Sequence, residues 1–339
     1  MSEVTSGTSA RAKEKQTLAG VARRLFATRE SGVLVALIVL IIFMSFLSPY
    51  FLKTQNLFNV LRGMSTIGIM AIGMTMVIVS GGIDLSVGSL AAVSAMSTAR
   101  LMTYHNVSPW LAFLAGLGVG LTLGAVNGAI ITRIKVNPFI TTLGMLSIGR
   151  GLTYLLATGL EGTVASNIPM RNEAVNFLGA GYVGQVPFPV IEMLILVIVS
   201  SLFLNHVVLG RQIYAVGTNE QAARLSGVNV GGVRLFVYTI TGGFAALAGV
   251  MNAGLLSTAA TNLGVGVELD VIAAVVIGGA SLMGGEGTIL GAIIGAAIMA
   301  VIRNAFVLLK LPIYMQTVAI GAVIILAVAL DQLRKQRSS

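Results

Sequence analysis

The sequence predicts an all-α membrane protein, a polytopic bundle of about ten transmembrane helices, some of them broken at Gly-Gly pairs. Two observations predict this class. First, 56% of the 339 residues are hydrophobic and only 10% are charged, whereas soluble globular chains carry about 25% charged residues. Second, the apolar residues run continuously, in stretches near the roughly 20 residues that a helix needs to cross about 30 Å of hydrocarbon. A transmembrane barrel would show alternating polarity instead.

Ten apolar stretches are predicted to span the membrane. They cover residues 32–47, 63–80, 85–103, 110–131, 139–157, 189–208, 233–256, 269–282, 289–308 and 313–330. The eighth stretch is too short to cross comfortably, so we expect it to start earlier or to be a broken helix. The 41 glycines fit this class, because small residues let lipid-embedded helices approach closely. The spans divide the chain into a cytoplasmic N-terminal tail (1–31), a transmembrane domain (32–330) and a cytoplasmic C-terminal tail (331–339).

The basic residues are distributed unevenly between the two sides of the predicted bundle. The net charge is +9, which raises the question of nucleic-acid binding. With both termini inside, most of the 21 Lys and Arg residues lie in or beside inner loops and tails. This asymmetry is the positive-inside pattern of membrane proteins. It accounts for the charge without nucleic acid and supports an even number of spans.

The sequence contains none of the motifs of common enzyme classes. No G-x-x-x-x-G-K-[ST] motif and no Gly-Lys pair occur, so the chain cannot cradle ATP through a P-loop. It has no H-E-x-x-H motif, no cysteine and only two histidines. We therefore expect no catalytic residue, no metal site and no cofactor of its own.

The first segment that carries chemistry covers residues 80–89, where a charged residue stands between two apolar runs. Gly81 and Gly82 break or sharply turn a helix, and Asp84 and Ser86 suit an N-cap of the next one. A carboxylate near a membrane span is costly and usually marks function. Two interpretations stay open for Asp84: a place in a pathway or gate, or a simple cap of the third helix.

A second broken segment covers residues 277–287 and contains Gly278 and Gly279. Glycine-interrupted segments in both halves of a chain indicate the binding region of a transporter. Close helix packing with a tight hairpin is the alternative. Arg150 and Arg303 lie within predicted spans, where snorkelling to the interface is the common explanation and substrate contact is the other.

The longest inner loop covers residues 209–232 and is polar. Thr218 or Asn219 can N-cap a short helix over 220–226 that ends at Gly227. A small, exposed helix on the inner side is a feature that a partner protein can bind. A plain solvated connector is the alternative.

At these three segments the sequence closely resembles the ribose-type permeases of bacterial sugar ABC importers, within the branched-chain amino acid/ribose permease superfamily. The resemblance covers roughly residues 30–330. It is carried by residues 73–89, 209–227 and 268–291 in this order and spacing. The N-terminal tail matches no part of the family pattern, so no role is assigned to it.

The resemblance implies a permease subunit in the bacterial inner membrane, with both termini cytoplasmic. It implies as partners a second permease, identical or paralogous, a cytoplasmic ATPase that binds ATP and Mg, and an outer sugar-binding protein. The family's coupling helix maps onto about 217–227, so the expected ATPase-coupling residues are Gly210, Arg211, Tyr214, Gly217, Asn219, Ala222, Ala223 and Gly227. The pathway or gate candidates are Gly81, Gly82, Asp84, Ser86, Gly278, Gly279, Asn127 and Asn252, the two asparagines on side-chain chemistry alone.

Two other classes of transport protein remain as alternatives. An ion-coupled secondary transporter would move a small polar solute by itself, with Asp84 as the ion or proton carboxylate. A channel would conduct without any energy source. The sequence does not predict which sugar is carried, because the resemblance places specificity largely in the binding protein.

Overall fold

The computed structural model describes residues 29–159 and 162–336. Most of the predicted N-terminal tail and the end of the C-terminal tail lie outside the described residues. Within the described residues the chain forms thirteen α-helices and four short strands. The helices are α1 (Arg29–Leu47), α2 (Thr54–Val79), α3 (Val87–Tyr104), α4 (Pro109–Ala129), α5 (Pro138–Ala157), α6 (Glu173–Ala180), α7 (Phe188–His206), α8 (Val208–Thr218), α9 (Glu220–Leu225), α10 (Val230–Leu256), α11 (Val267–Ile277), α12 (Ile289–Leu308) and α13 (Ile313–Gln336).

Seven helices in the described part of the chain are long and apolar enough to cross a membrane: α1, α2, α4 with its π-helical extension to Ile134, α5, α7, α10 and α12. The prediction of about ten spans also counted α3, α11 and α13. The 11 residues of α11 extend only about 16 Å, α3 carries several hydroxyl side chains, and the described apolar stretch of α13 ends at Leu326. The chain is a polytopic, all-α membrane protein, and the number ten stays a prediction.

The core is built around α2 and α10. Helix α10 packs against α2, α3, α4 and α6, while α2 also contacts α7, α11 and α12. All residues of α2 from Ile67 to Val79 are buried, as expected for a helix that is apolar on every side and surrounded by protein. Helix α1 lies at the periphery and contacts α12 through Met44 and Val301. Its other apolar side chains are largely exposed, which suits contact with lipid.

Glycines bring α4 and α10 into close contact. A Cβ atom on Gly120 would stand 2.5 Å from the carbonyl oxygen of Gly242. No side chain larger than hydrogen fits between the two backbones at this crossing. Small residues therefore act here as predicted, by letting two helices approach at backbone distance.

The short strands lie in the connections around α6 and after α10. Strand β1 (Asn167–Pro169) pairs antiparallel with β4 (Thr258–Ala260), and β2 (Tyr182–Val183) pairs with β3 (Val186–Pro187). β1 to β3 fall in the predicted outer loop 158–188, and β4 ties the end of α10 to the same side.

Two predicted segments differ from the structure. The eighth stretch, residues 269–282, is helical only to Ile277, because Gly279 adopts φ +93°, which a continuing right-handed helix does not allow. The segment 209–232 is mostly helical and not a loop. Its first part is α8, which buries Ile213 and Val216 while Arg211 stays exposed, so an amphipathic pattern is hidden in a segment that is polar on average.

Candidate functional site

The break between α2 and α3 is organised around Asp84, which is completely buried. Its Oδ1 accepts hydrogen bonds from the backbone N–H of Ser86 at 2.8 Å and from the Ser86 hydroxyl at 2.5 Å. Ser86 occupies the N-cap position of α3, but its side chain makes no capping bond. Ser86 thus stands at the predicted N-cap position, but neither side chain makes a capping bond to α3, because Asp84 accepts both of its hydrogen bonds from Ser86.

Asn127 of α4 extends this hydrogen-bonded group. Its Nδ2 donates to the Ser86 hydroxyl at 3.0 Å, so three of the predicted pathway residues lie side by side. Within the described part of the chain, Asp84 Oδ2 and Asn127 Oδ1 are buried and have no hydrogen-bond partner. Buried acceptors are normally satisfied, so this polar group is a place where a donor, such as water, would bind favourably.

The backbone of the same break is attached to two further helices. The carbonyl oxygen of Ile83 accepts hydrogen bonds from Thr142 of α5 at 3.3 Å and from the hydroxyl of Tyr238 of α10 at 3.4 Å. Asn252 does not belong to this cluster. It lies fourteen residues beyond Tyr238 on α10, about 21 Å further along the helix.

The second break follows α11 and is rich in glycines with positive φ. Gly278 ends α11, and a Cβ on it would stand 2.6 Å from the backbone N of Ala292 in α12. Gly284 and Gly285 adopt φ +87° and +76°, values that L side chains rarely adopt. The chain thus turns back tightly before α12.

The two breaks and α8 meet at one point, which we call the glycine junction (Gly81, Gly217, Gly284 and Gly285). The backbone N–H of Gly285 donates to the carbonyl oxygen of Val79 at 2.8 Å. A Cβ on Gly284 would lie 3.0 Å from the Cα of Gly81 and 3.1 Å from the Cα of Gly217. Backbone touches backbone here, so a displacement of α8 reaches both breaks without an intervening side chain.

Tyr214 fastens α8 to the second break from the other side. Its hydroxyl donates to the carbonyl oxygen of Gly287 at 2.8 Å. Burial raises the pKa of this phenol above its ordinary value, which keeps the group protonated and able to donate. Tyr214 is one of the expected ATPase-coupling residues, and the structure places it against the protein's own second break.

Helix α9 has the cap that was predicted for it. The Asn219 side chain accepts from the N–H of Ala222 at 2.9 Å, and Gly227 follows the helix with φ +81°. The predicted short helix is therefore confirmed, with its end at Leu225 in place of residue 226. The surface of α9 includes Leu225, which is 90% exposed and which the sequence analysis missed.

The eight predicted coupling residues divide into two groups of four. Arg211, Asn219, Ala222 and Gly227 are exposed, and a partner can reach them. Gly210 and Ala223 are buried, and Tyr214 and Gly217 are half-buried against the breaks. The segment thus has an outer face for contact and an inner face joined to the membrane helices.

An ion-pair group holds α9 to the start of α10. Glu220 pairs with Arg224 at 3.0 Å and with Arg234 of α10 at 2.8 Å. Burial acts to raise the pKa of Glu220, but the charges of Arg234 and Arg224 outweigh it and hold that pKa below its ordinary value. The carboxylate therefore stays ionised and orients α9 at neutral pH.

Arg303 does not reach out to the interface as a snorkelling residue would. It pairs with Asp270 of α11, a carboxylate that is 1% exposed. A buried charge needs an opposite charge beside it, so this pair joins α11 to α12. Sequence reasoning missed the pair because the two residues are far apart in the chain.

Comparison with known proteins places the chain in a family. A family described as branched-chain amino acid transport system / permease component matches residues 56–328. The chain is 42% identical over 319 residues to the ribose import permease protein RbsC of Escherichia coli (strain K12), covering 93% of this chain and 98% of that protein.

Other relatives are similar over nearly their whole length. The ribose import permease protein RbsC of Bacillus subtilis (strain 168) is 39% identical, covering 89% of this chain and 92% of its own. The galactose/methyl galactoside import permease protein MglC of Escherichia coli (strain K12) is 36% identical, covering 91% and 96%. No solved structure matches the chain significantly. On this evidence the chain belongs to the family of branched-chain amino acid transport system / permease components.

Proposed function

We propose that this chain is the transmembrane permease subunit of an ATP-binding-cassette importer for a ribose-like monosaccharide. The relatives are ribose and galactose import permeases, and they match almost the entire chain. The observation within the structure that supports the proposal is the glycine junction, where a partner-accessible segment touches two broken membrane helices. This is the arrangement that a transport pathway driven by a separate motor protein requires.

The proposed partners are a cytoplasmic ATPase, a second permease and an outer sugar-binding protein. The exposed face of α9, with Leu225 and Ala222, is the proposed contact for the ATPase. In this arrangement ATP and Mg bind to the ATPase, and the permease carries out no catalysis. The chain lies in the bacterial inner membrane with about ten spans and with both termini in the cytoplasm, which agrees with its positive-inside charge.

The mechanism proposed is alternating access. ATP binding closes the ATPase subunits, whose motion shifts α8 and α9. Because α8 contacts the breaks at Gly81 and Gly284 through backbone atoms, this shift moves the ends of α2 and α11 and opens the pathway to the other side. Differential affinity of ATP for the two states provides the driving free energy.

The test is reconstitution of the chain in proteoliposomes with and without the ATPase and the binding protein. We expect uptake of radiolabelled ribose, allose or galactose only when both partners and ATP are present. The variant Ala222→Asp, on the exposed face of α9, is expected to reduce assembly with the ATPase. Uptake by the chain alone would contradict the proposal.

An ion-coupled secondary transporter is the second candidate. The buried Asp84, with Oδ2 lacking a partner among the described residues, is the observation that favours it, because an unpaired intramembrane carboxylate can carry a proton or cation. This candidate predicts uptake without an ATPase that an uncoupler abolishes. Measuring uptake by the chain alone, with and without the uncoupler, decides between the two.

A further inference from the structure

Two charged residues outside the glycine junction, Arg150 and Glu268, lie near each other in the fold. Arg150 is the thirteenth of the 20 residues of α5, about 18 Å from the start of that helix at 1.5 Å per residue. Glu268 is the second residue of α11, about 13 Å from the other end of that helix. Helix α5 is long and apolar enough to cross a membrane, so we expect Arg150 to lie inside the hydrocarbon layer of about 30 Å and the segment that it contacts to lie at a similar depth.

Arg150 and Glu268 converge on one short segment. The Nη1 atom of Arg150 donates to the carbonyl oxygen of Leu263 at 2.6 Å, and Glu268 follows Leu263 by five residues, at the end of the same segment. The Glu268 carboxylate lies against α3, since a Cβ on Gly88 would stand 2.5 Å from Oε2. Within the described part of the chain, this buried Oε2 atom has no hydrogen-bond partner. The site thus offers a fixed donor group and an unsatisfied acceptor.

The backbone at this place is not helical. Residues 261–266 form turns between β4 and α11, with Gly264 at φ +70° and Gly266 at φ +76°. Irregular backbone at membrane depth is tolerated only where protein buries it or where it lines a water-filled cavity. Val265 is 65% exposed in the single chain, so this chain does not bury the segment completely. The exposed part is therefore either covered by another protein molecule or in contact with water.

The neighbouring face of α5 is uncovered in the single chain and carries small residues. A Cβ on Gly144 or Gly151 would meet nothing within 4 Å, and Ser147 between them is exposed. Small residues on a membrane helix permit close approach of another helix. A second permease molecule on this face would place Arg150 beside the space between the two subunits.

We propose that Arg150, Glu268 and the segment between Leu263 and Glu268 form a sugar-contacting site on the wall of the translocation pathway. Glu268 accepts hydrogen bonds from sugar hydroxyls, and the remaining N–H groups of Arg150 donate to hydroxyl oxygens. The opposite charges compensate each other, so the ligand class is an uncharged polyhydroxy compound of monosaccharide size. This inference rests on the proposed function.

The first experiment measures ATP-driven ribose uptake by the complete reconstituted transporter. Glu268→Gln keeps the shape of the side chain and removes one acceptor and the charge, and we expect a fall in uptake of about tenfold, as for loss of a hydrogen bond to a charged group. ATPase activity stimulated by the binding protein is expected to stay within about twofold. The matched control is Glu192→Gln, a carboxylate on α7 that also has a buried, unpartnered Oε2 among the described residues; it should retain uptake.

A second experiment tests directly whether the segment is accessible from water. The chain contains no cysteine, so Val265→Cys introduces a single thiol. We expect a charged, water-soluble thiol reagent to label Val265→Cys in the assembled transporter and ribose to slow the labelling. The control is Ile195→Cys on α7, which is 55% exposed in the single chain; we expect this position to face lipid and to stay unlabelled.

The outcomes separate this inference from the proposed function. If the wild-type transporter takes up no sugar with ATP and partners present, the proposed function fails. If wild-type uptake is normal but Glu268→Gln matches it, or if Val265→Cys labels no faster than Ile195→Cys, the sugar site is refuted and the function stands. A fall in uptake together with ribose-protected labelling supports the site.

Discussion

The substitution Gly217→Ala tests the glycine junction with one added methyl group. That Cβ would overlap the carbonyl oxygen of Val79 and stand 2.7 Å from the N atom of Gly285. These two atoms form the 2.8 Å hydrogen bond between the breaks. Because both neighbours are backbone atoms, neither can rotate away. The methyl group must therefore push α8 away from the breaks or separate the breaks from each other.

The size of the effect follows from two contributions. Forcing an extra methyl group into a packed contact costs about 1–3 kcal/mol, and the loss of one backbone hydrogen bond costs about 1 kcal/mol. A combined change of about 2–4 kcal/mol, at 1.4 kcal/mol per factor of ten, shifts an equilibrium by roughly thirty-fold to several-hundred-fold. We therefore expect sugar uptake per ATP hydrolysed to fall at least about tenfold.

The assay compares ribose uptake and ATP hydrolysis in proteoliposomes that contain the permease, the ATPase and the binding protein. The matched control is Gly231→Ala at the start of α10, where the nearest atom to an added Cβ is at 3.6 Å. Thermal unfolding of both purified variants separates loss of folding from loss of coupling. If Gly217→Ala transports as well as Gly231→Ala, direct backbone coupling at the junction is refuted.

Three further predictions concern the neighbouring groups. Asp84→Ala leaves the N–H and hydroxyl of Ser86 without their acceptor, so thermal unfolding should show a loss of about 2–4 kcal/mol, while Asp84→Asn retains the oxygen and should lose clearly less; equal losses would contradict the assignment. Leu225→Asp should change the free energy of unfolding by no more than about 0.5 kcal/mol, because the side chain is exposed. It should weaken binding of the ATPase by about tenfold, which a pull-down titration measures, and unchanged binding would exclude Leu225 from the interface. The pKa of Glu220 is lower in the folded chain than in the unfolded chain, so its contribution to stability is complete above the unfolded pKa of about 4.3 and is lost as the pH falls through the folded pKa. Hydrogen exchange of the α9 amides should therefore become faster in that acid range, by a factor that corresponds to less than about 1 kcal/mol. Glu220→Gln should remove this pH dependence.

Local pattern predicted most helix positions, because lipid requires long apolar stretches whose backbone bonds are internal. The predicted span 289–308 coincides with α12, and 139–157 differs from α5 by one residue. The predicted bounds differ from the structure at the eighth stretch, which was expected to start earlier or to be a broken helix and which forms a helix over Val267–Ile277. Residues 278–282 are apolar enough to extend a span, but the positive φ of Gly279 ends the helix before them. Hydropathy records composition and contains no information about φ.

The candidate site was predicted in parts but not as an assembly. The sequence indicated that Asp84, Ser86 and Asn127 could carry chemistry, and the structure joins them by hydrogen bonds. Asn252 was selected on the same chemical grounds, yet it lies about 21 Å along α10 from that cluster. Side-chain chemistry alone cannot distinguish these cases, because the position of a residue along a helix has meaning only once neighbouring helices are in place.

The amino-acid sequence by itself determined the membrane class, the capped helix after Asn219 and the resemblance to sugar permeases, because these depend on local composition, caps and motif spacing. Only the tertiary structure decided that Gly81, Gly217 and Gly284 touch and that Asp270 pairs with Arg303. Each of these contacts joins residues from separate parts of the chain. They arise from the way in which buried helices pack, and the one-dimensional pattern of hydropathy contains no distances between helices.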